Sequence, residues 1–136
     1  MISVFGSINM DLIATTVRLP EPGETVAGTG FSTAAGGKGA NQAPAARRAG
    51  SDVRMVGAVG TDAFAGEALA LLDEAGVDLS SVARAEGPTG TALILVGGTG
   101  ENMIAVVPGA NGTIGEAQVG AVMDAMRPGD VLMLQM

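Results

Sequence analysis

Two short stretches hold the residue types that can do chemistry. "AAGGKGANQ" at positions 34–42 sets Lys38 among Gly36, Gly37 and Gly39, with Asn41 three residues beyond the lysine. "NMD" at 9–11 sets an amide, Asn9, two residues before a carboxylate, Asp11. A lysine between glycines first raises phosphate binding. A phosphate-cradling loop, however, needs a hydroxyl residue after the lysine and a glycine where Ser32 stands, and here Gly39 follows Lys38. "GTGFST" at 28–33 and "GTGENM" at 98–103 both lack the third glycine of a dinucleotide fingerprint. A small polyol fits the set better. Sugar hydroxyls both donate and accept, so they want carboxylate acceptors, amides that serve either role, and a lysine donor. Glycines remove the Cβ from backbone that must come close to a ligand, and a helix opening after the loop offers free N–H groups. The spacing leaves a plainer alternative open: a tight strand-to-helix connection, with Asn9 and Asp11 as ordinary turn residues.

Composition narrows the field. The chain has neither cysteine nor histidine, which excludes disulfides, thiolate or imidazole metal sites, cysteine nucleophiles and a Ser-His-Asp triad. Acid–base work must come from Asp, Glu or Lys. A net charge of −7 argues against nucleic acid as a partner, and the only basic cluster, Arg47-Arg48, reads as a solvated helix surface. The N-terminal "MISVFGSINMD" has no basic n-region and reads as a strand, not a signal peptide. No apolar run reaches the roughly 20 residues of a membrane span, so a soluble cytoplasmic protein is expected. At 136 residues and 47% hydrophobic, the chain should fold as one domain around an aliphatic core, since aromatics amount to three Phe.

The elements that would position the chemistry follow from pattern. "ISVF" at 2–5 reads as a buried strand ending at Gly6; 12–17 and 26–33 read as two further strands around the Pro/Gly turn "LPEPGET". Residues 40–49 read as a helix closed by Gly50, with Pro44 tolerable only near its first turn. "VRMVGAV" at 53–59 is a buried strand. Thr61 or Asp62 can cap a helix over 63–75, with Phe64, Ala68, Leu71, Leu72 and Ala75 facing inward. "TALILV" at 91–96 and "NMIAVV" at 102–107 flank a glycine hairpin. A helix over 116–126, with Val119, Val122, Met123 and Met126 on one side, leads through the turn "RPGD" to the apolar strand "VLMLQM". Alternating strands and helices predict a parallel α/β sheet with a small extra β element. A buried parallel strand normally feeds a crossover helix, so the chain reads as cut off mid-fold.

Taken together, these motifs resemble the ribokinase (PfkB-type) family of sugar kinases. "GSINMD", "PGET", "AGGKGANQA" with Gly50 and Gly60, "GTDAFAGE", "TGTALILV" and "GENMIAVVPGAN" occur in family order over the whole chain. The resemblance implies a three-layer α/β/α parallel sheet with a small β lid, truncated before the C-terminal ATP-binding part. Residues 1–136 would be the N-terminal substrate-binding part, with lid strands near 12–33 and 91–107. By the same resemblance Asn9 and Asp11 bond sugar hydroxyls, Gly37, Lys38 and Asn41 form the second half of that site, and Ala92 and Val106 set apolar lid residues against the sugar.

The implied reaction is ATP-dependent phosphorylation of a pentose, ribose at O5, with ATP, Mg²⁺ and a monovalent cation such as K⁺ as cofactors and a homodimer formed through the lid. Fructose or a nucleoside are alternative substrates, and a non-catalytic sugar-binding or dimerisation module is the alternative class. Two departures stand out. Pro44 replaces an ordinary helix residue, and the family's later Gly-Ala-Gly-Asp run, which carries the catalytic base, has no counterpart. No catalytic, cofactor-binding or metal-binding residue is therefore assigned within the chain, which is expected to be inactive alone.

Overall fold

The computed structural model describes residues 1–135, so Met136, expected to end the last strand, lies outside the described residues. β1 (Ile2–Phe5), β4 (Val53–Val59), β5 (Asp78–Arg84) and β8 (Val131–Leu134) form a parallel sheet in the order β5-β4-β1-β8. Helices α1 (Lys38–Arg48) and α2 (Phe64–Glu74) cover one face. Val4, Met55 and Val59 meet Ala40 and Ala43 of α1 and Ala65, Ala68 and Leu72 of α2 in a closely packed aliphatic core. Small alanines on the helices let larger strand side chains interdigitate without aromatics. Phe5 and Val56 leave the opposite face, where Ile114 and, from α3 (Glu116–Ala125), Val119 border a hollow beside them. Helices thus lie on both sides of the parallel sheet, as the three-layer expectation required.

The small second sheet runs β3-β2-β6-β7, from β2 (Asn9–Thr16), β3 (Gly28–Gly36), β6 (Gly90–Val96) and β7 (Asn102–Val107). β2 pairs antiparallel with β3 and parallel with β6, and β6 and β7 form the expected hairpin, closed by Gly97 N–H to Glu101 O at 2.9 Å. Its strands are longer than expected, because β2 opens at Asn9 and β3 runs on to Gly36. Asn9 and Asp11 are therefore strand residues and not turn residues, two apart and on one face. Thr89, fully buried just before β6, ties this sheet to the end of β4. Its hydroxyl donates to Asp62 Oδ1 at 2.7 Å and accepts from Gly60 N–H at 3.0 Å.

Several expectations need correction. Helix α1 begins at Lys38, so Pro44 sits in its interior, past the first turn. The ring removes the bond to Ala40 O, yet the helix continues, held by buried Ala43 and Pro44 against the core. On α2 the buried stripe is Ala65, Ala68 and Leu72; Leu71 faces solvent, and Asp62 spends its carboxylate on Thr89 and not on a side-chain cap. On α3 only Val122 is buried, while Val119 and Met123 are exposed. Strand β5 and a 3-10 helix at Gly109–Thr113 were not anticipated. β5 is an edge strand whose "DLSSVAR" lacks both an apolar run and a clean alternation. Arg47 is not simply solvated: it donates to Gly76 O and Ser51 O, pinning the end of α1 to the turns after α1 and α2.

Candidate functional site

A cleft of about 430 Å³ opens where the small sheet meets the carboxyl ends of β1 and β8. Asn9, Asp11, Gly37, Lys38, Asn41, Ala92 and Val106 all line it. The register explains the grouping: Asp11 pairs with Ala92, and Ala92 pairs with Val106, so these three stand in one row across β2, β6 and β7. Ile94 and Ile104 form the next row on the same face and extend the apolar wall. Lys38 and Asn41 enter from the first turn of α1, three residues apart on one side. The cleft therefore has one wall from the small sheet, polar at Asn9 and Asp11 and aliphatic at Ala92, Val106, Ile94 and Ile104, and a second wall where α1 brings Lys38 and Asn41.

The glycines play a different part from the one expected. A Cβ at Gly36 would overlap the Asp11 carboxylate, so the missing side chain makes room for Asp11 rather than for a ligand. Gly37 has φ +96°, and a Cβ there would lie 2.5 Å from Ser7 O. One at Gly39 would lie 2.7 Å from Gly6 C, so helix and turn meet backbone to backbone. The opening of α1 is also less free than expected. Lys38 N–H donates to Ser7 Oγ at 3.2 Å and Ala40 N–H to Ser7 O at 3.0 Å. Ser7 Oγ in turn donates to Gln135 Oε1 at 2.7 Å, so Ser7 locks the lysine-bearing turn to the end of β8.

Sequence reasoning missed Ser7, Asn111 and Gln135, which also line the cleft. Ser7 and Asn111 lie inside motifs already singled out, "GSINMD" and "VPGAN", but their partners are more than a hundred residues away in Gln135 and Ile8. Asp11 is the electrostatic centre. Burial alone pushes its carboxyl above the usual 3.8, and among the described residues it has neither a hydrogen-bond donor nor a cation in contact. A half-buried carboxylate left without a partner can accept a hydrogen bond from a ligand. Among the described residues no group of three or more acidic side chains is placed to hold a metal ion, and no helix is long and apolar enough to cross a membrane.

A parallel sheet between helix layers, with a second small sheet folded over a cleft at its strand ends, defines the ribokinase-type α/β fold. A ribokinase structure from Giardia lamblia superposes with a TM-score of 0.81 over 90% of this chain and 37% of its own, at 39% identity. A ribokinase structure from Arabidopsis thaliana, complexed with ribose and ATP, gives a TM-score of 0.70 at 40% identity over 81% of this chain and 36% of its own. The pfkB family carbohydrate kinase profile matches residues 1–135, and the chain belongs to that family. The ribokinase of Schizosaccharomyces pombe is 44% identical over 99% of this chain and 45% of its own length, so the chain spans just under half of that relative.

Proposed function

We propose that the protein is an ATP-dependent pentose kinase that phosphorylates D-ribose at O5, and that this chain supplies its sugar-binding part. The observation that carries the reading is the convergence of Asn9, Asp11, Lys38 and Asn41 on a single cleft that Ala92 and Val106 also line, in one row with Asp11. A furanose has both kinds of surface, with hydroxyls on its rim and C–H groups on its faces. In this reading Asp11 accepts from a sugar hydroxyl, Lys38 and Asn9 donate, and Asn41 does either. The small sheet acts as a lid that keeps water from the reacting hydroxyl, and fixing that hydroxyl supplies the positional share of the rate enhancement.

ATP would supply the transferred phosphoryl group. The described residues do not fit MgATP: they include no Gly-Ala-Gly-Asp run and no carboxylate cluster for a metal. The phosphate donor, its Mg²⁺ and a monovalent cation such as K⁺ are therefore assigned to the stretch of the relatives that this chain does not span. The exposed outer face of the lid, with Phe31, Leu93 and Met103, is assigned to a homodimer contact in a cytoplasmic enzyme. The test is ATP consumption by the protein made from its native gene, with ribose, 2-deoxyribose, fructose and a nucleoside as separate substrates. Ribose-dependent turnover is expected. Sugar binding without turnover would support the non-catalytic module instead, and neither binding nor turnover with any of the four would overturn the reading.

A further inference from the structure

We infer that Asn111 is a positioning residue that fixes the polarity of Asn9, turning the Asn9 amide N–H₂ into the cleft so that this position donates to a ligand oxygen. The inference deepens the sugar-site reading and rests on it. Asn111 lies in the 3-10 helix after β7, and its side chain reaches back to the connection between β1 and β2. Its Oδ1 accepts from Ile8 N–H at 2.9 Å, and its Nδ2 donates to Ile8 O at 3.1 Å and to Asn9 Oδ1 at 2.8 Å. Ile8 is fully buried, so its backbone groups need these partners.

The amide of Asn111 has one oxygen and two N–H protons, and all three are used. Exchanging its oxygen and nitrogen would set oxygen against Ile8 O and N–H against Ile8 N–H, so the backbone of Ile8 dictates its orientation. The remaining Nδ2 proton then requires the oxygen of Asn9, and the Asn9 nitrogen must turn the other way. Asn9 is 8% exposed and lines the cleft, and among the described residues its Nδ2 has no partner in the chain. Gly90 preserves the pair, because a Cβ there would overlap both Asn111 Nδ2 and Asn9 Oδ1. The cleft therefore presents a fixed donor at Asn9 and a fixed acceptor at Asp11, two residues apart on one strand face. That pairing suits neighbouring hydroxyls, one accepting and one donating.

The experiment combines side-chain amide NMR with ribose titration calorimetry on the full-length protein from its native gene. Without sugar, the Asn111 amide protons should exchange slowly and those of Asn9 quickly, and ribose should slow the Asn9 pair. An Asn9 amide already protected without sugar, or unmoved by bound ribose, would overturn the inference. Asn111→Asp keeps the acceptor for Ile8 N–H and removes the donors, so the Asn9 amide should swing round to donate to it. Ribose Kd should then rise about ten-fold, the effect of one lost hydrogen bond, with the Km for ATP unchanged. In an Asn9→Ala background the same change should move Kd by less than about two-fold, because Asn111 acts through Asn9. An equal loss in both backgrounds would show a purely structural role and overturn the inference. Failure of the sugar reading looks different: the native protein would bind no ribose while the Asn111 amide stayed protected and that of Asn9 exchanged freely.

Discussion

At the scale of single residues, Asp11 separates binding from stability. Its carboxylate is partly buried without a partner, so the folded state holds its proton more tightly than the unfolded chain does. Stability from this group therefore falls as pH rises from 3.8 through the raised folded value, and the ionised form is a burden at neutral pH. Asp11→Asn should leave the denaturant midpoint at pH 7 unchanged or higher, an advantage that disappears below pH 3.8. The same change, and Asp11→Ala more so, should weaken ribose binding by about ten- to a hundred-fold, the cost of a lost charged hydrogen bond. Calorimetry and urea unfolding on one preparation check both halves; unchanged ribose affinity would remove Asp11 from the site. The pH dependence of binding has the opposite sign to that of stability. Ribose affinity in the native protein should fall as pH drops through the raised Asp11 value, and Asp11→Asn should lose that acid limb.

At the scale of elements, the site depends on how closely α1 approaches the turn after β1. Gly39 and Gly6 meet backbone to backbone, so Gly39→Ala places a Cβ 2.7 Å from Gly6 C and 3.0 Å from Met55 Cε. Alanine favours a helix over glycine by about 1 kcal/mol, but overpacking against rigid backbone costs about 1–3 kcal/mol. A net loss of stability is expected in thermal unfolding, together with weaker ribose binding, because Lys38 and Asn41 ride on the displaced turn. Wild-type affinity in a stable Gly39→Ala protein would show that the turn has slack. The same lesson applies to Gly36, which serves Asp11, and to Gly90, which serves Asn9 and Asn111. A glycine-rich loop reads in sequence as room for a ligand, whereas here most of that room is taken by the chain's own polar groups.

At the scale of the whole molecule, the small sheet, the lid of the proposed enzyme, has one face toward the cleft and one toward solvent. Strand alternation sends Asn9, Asp11, Ala92 and Val106 to the first and Leu12, Phe31, Leu93 and Met103 to the second. Phe31 is 71% exposed, and Leu93 and Met103 are about half exposed, so the outer face is apolar and open. Under the proposed dimer, Phe31→Glu should convert the native protein to a monomer in sedimentation velocity while leaving its thermal midpoint within a few degrees. A native protein that sediments as a monomer, or a variant that stays dimeric, would reject that contact.

Much of this protein is legible in its sequence because much of it is local. Short apolar runs such as "ISVF" and "VRMVGAV", each followed by a glycine and rich in β-branched residues, read as buried strands, the glycine hairpin joins its two neighbours, and "GGKGANQ" with "NMD" gave both polar halves of the cleft. Within these 136 residues the sequence also leaves no cysteine or histidine, so the polar groups of the cleft are carboxylate, amide, hydroxyl and ammonium. Tertiary structure decided everything that depends on contact between distant segments. Edge strand β5 exists because β4 offers it a pairing edge, not because its residues favour one. Pro44 is tolerated inside a helix because the core packs around it. Asn111 and Gln135 reach the site only because the fold brings them to Ile8 and Ser7, and the Asn111 bond to Asn9 Oδ1 is what the inferred polarity of Asn9 rests on. A hydrogen bond's direction is set by the partner it finds in space, which spacing along the chain does not encode.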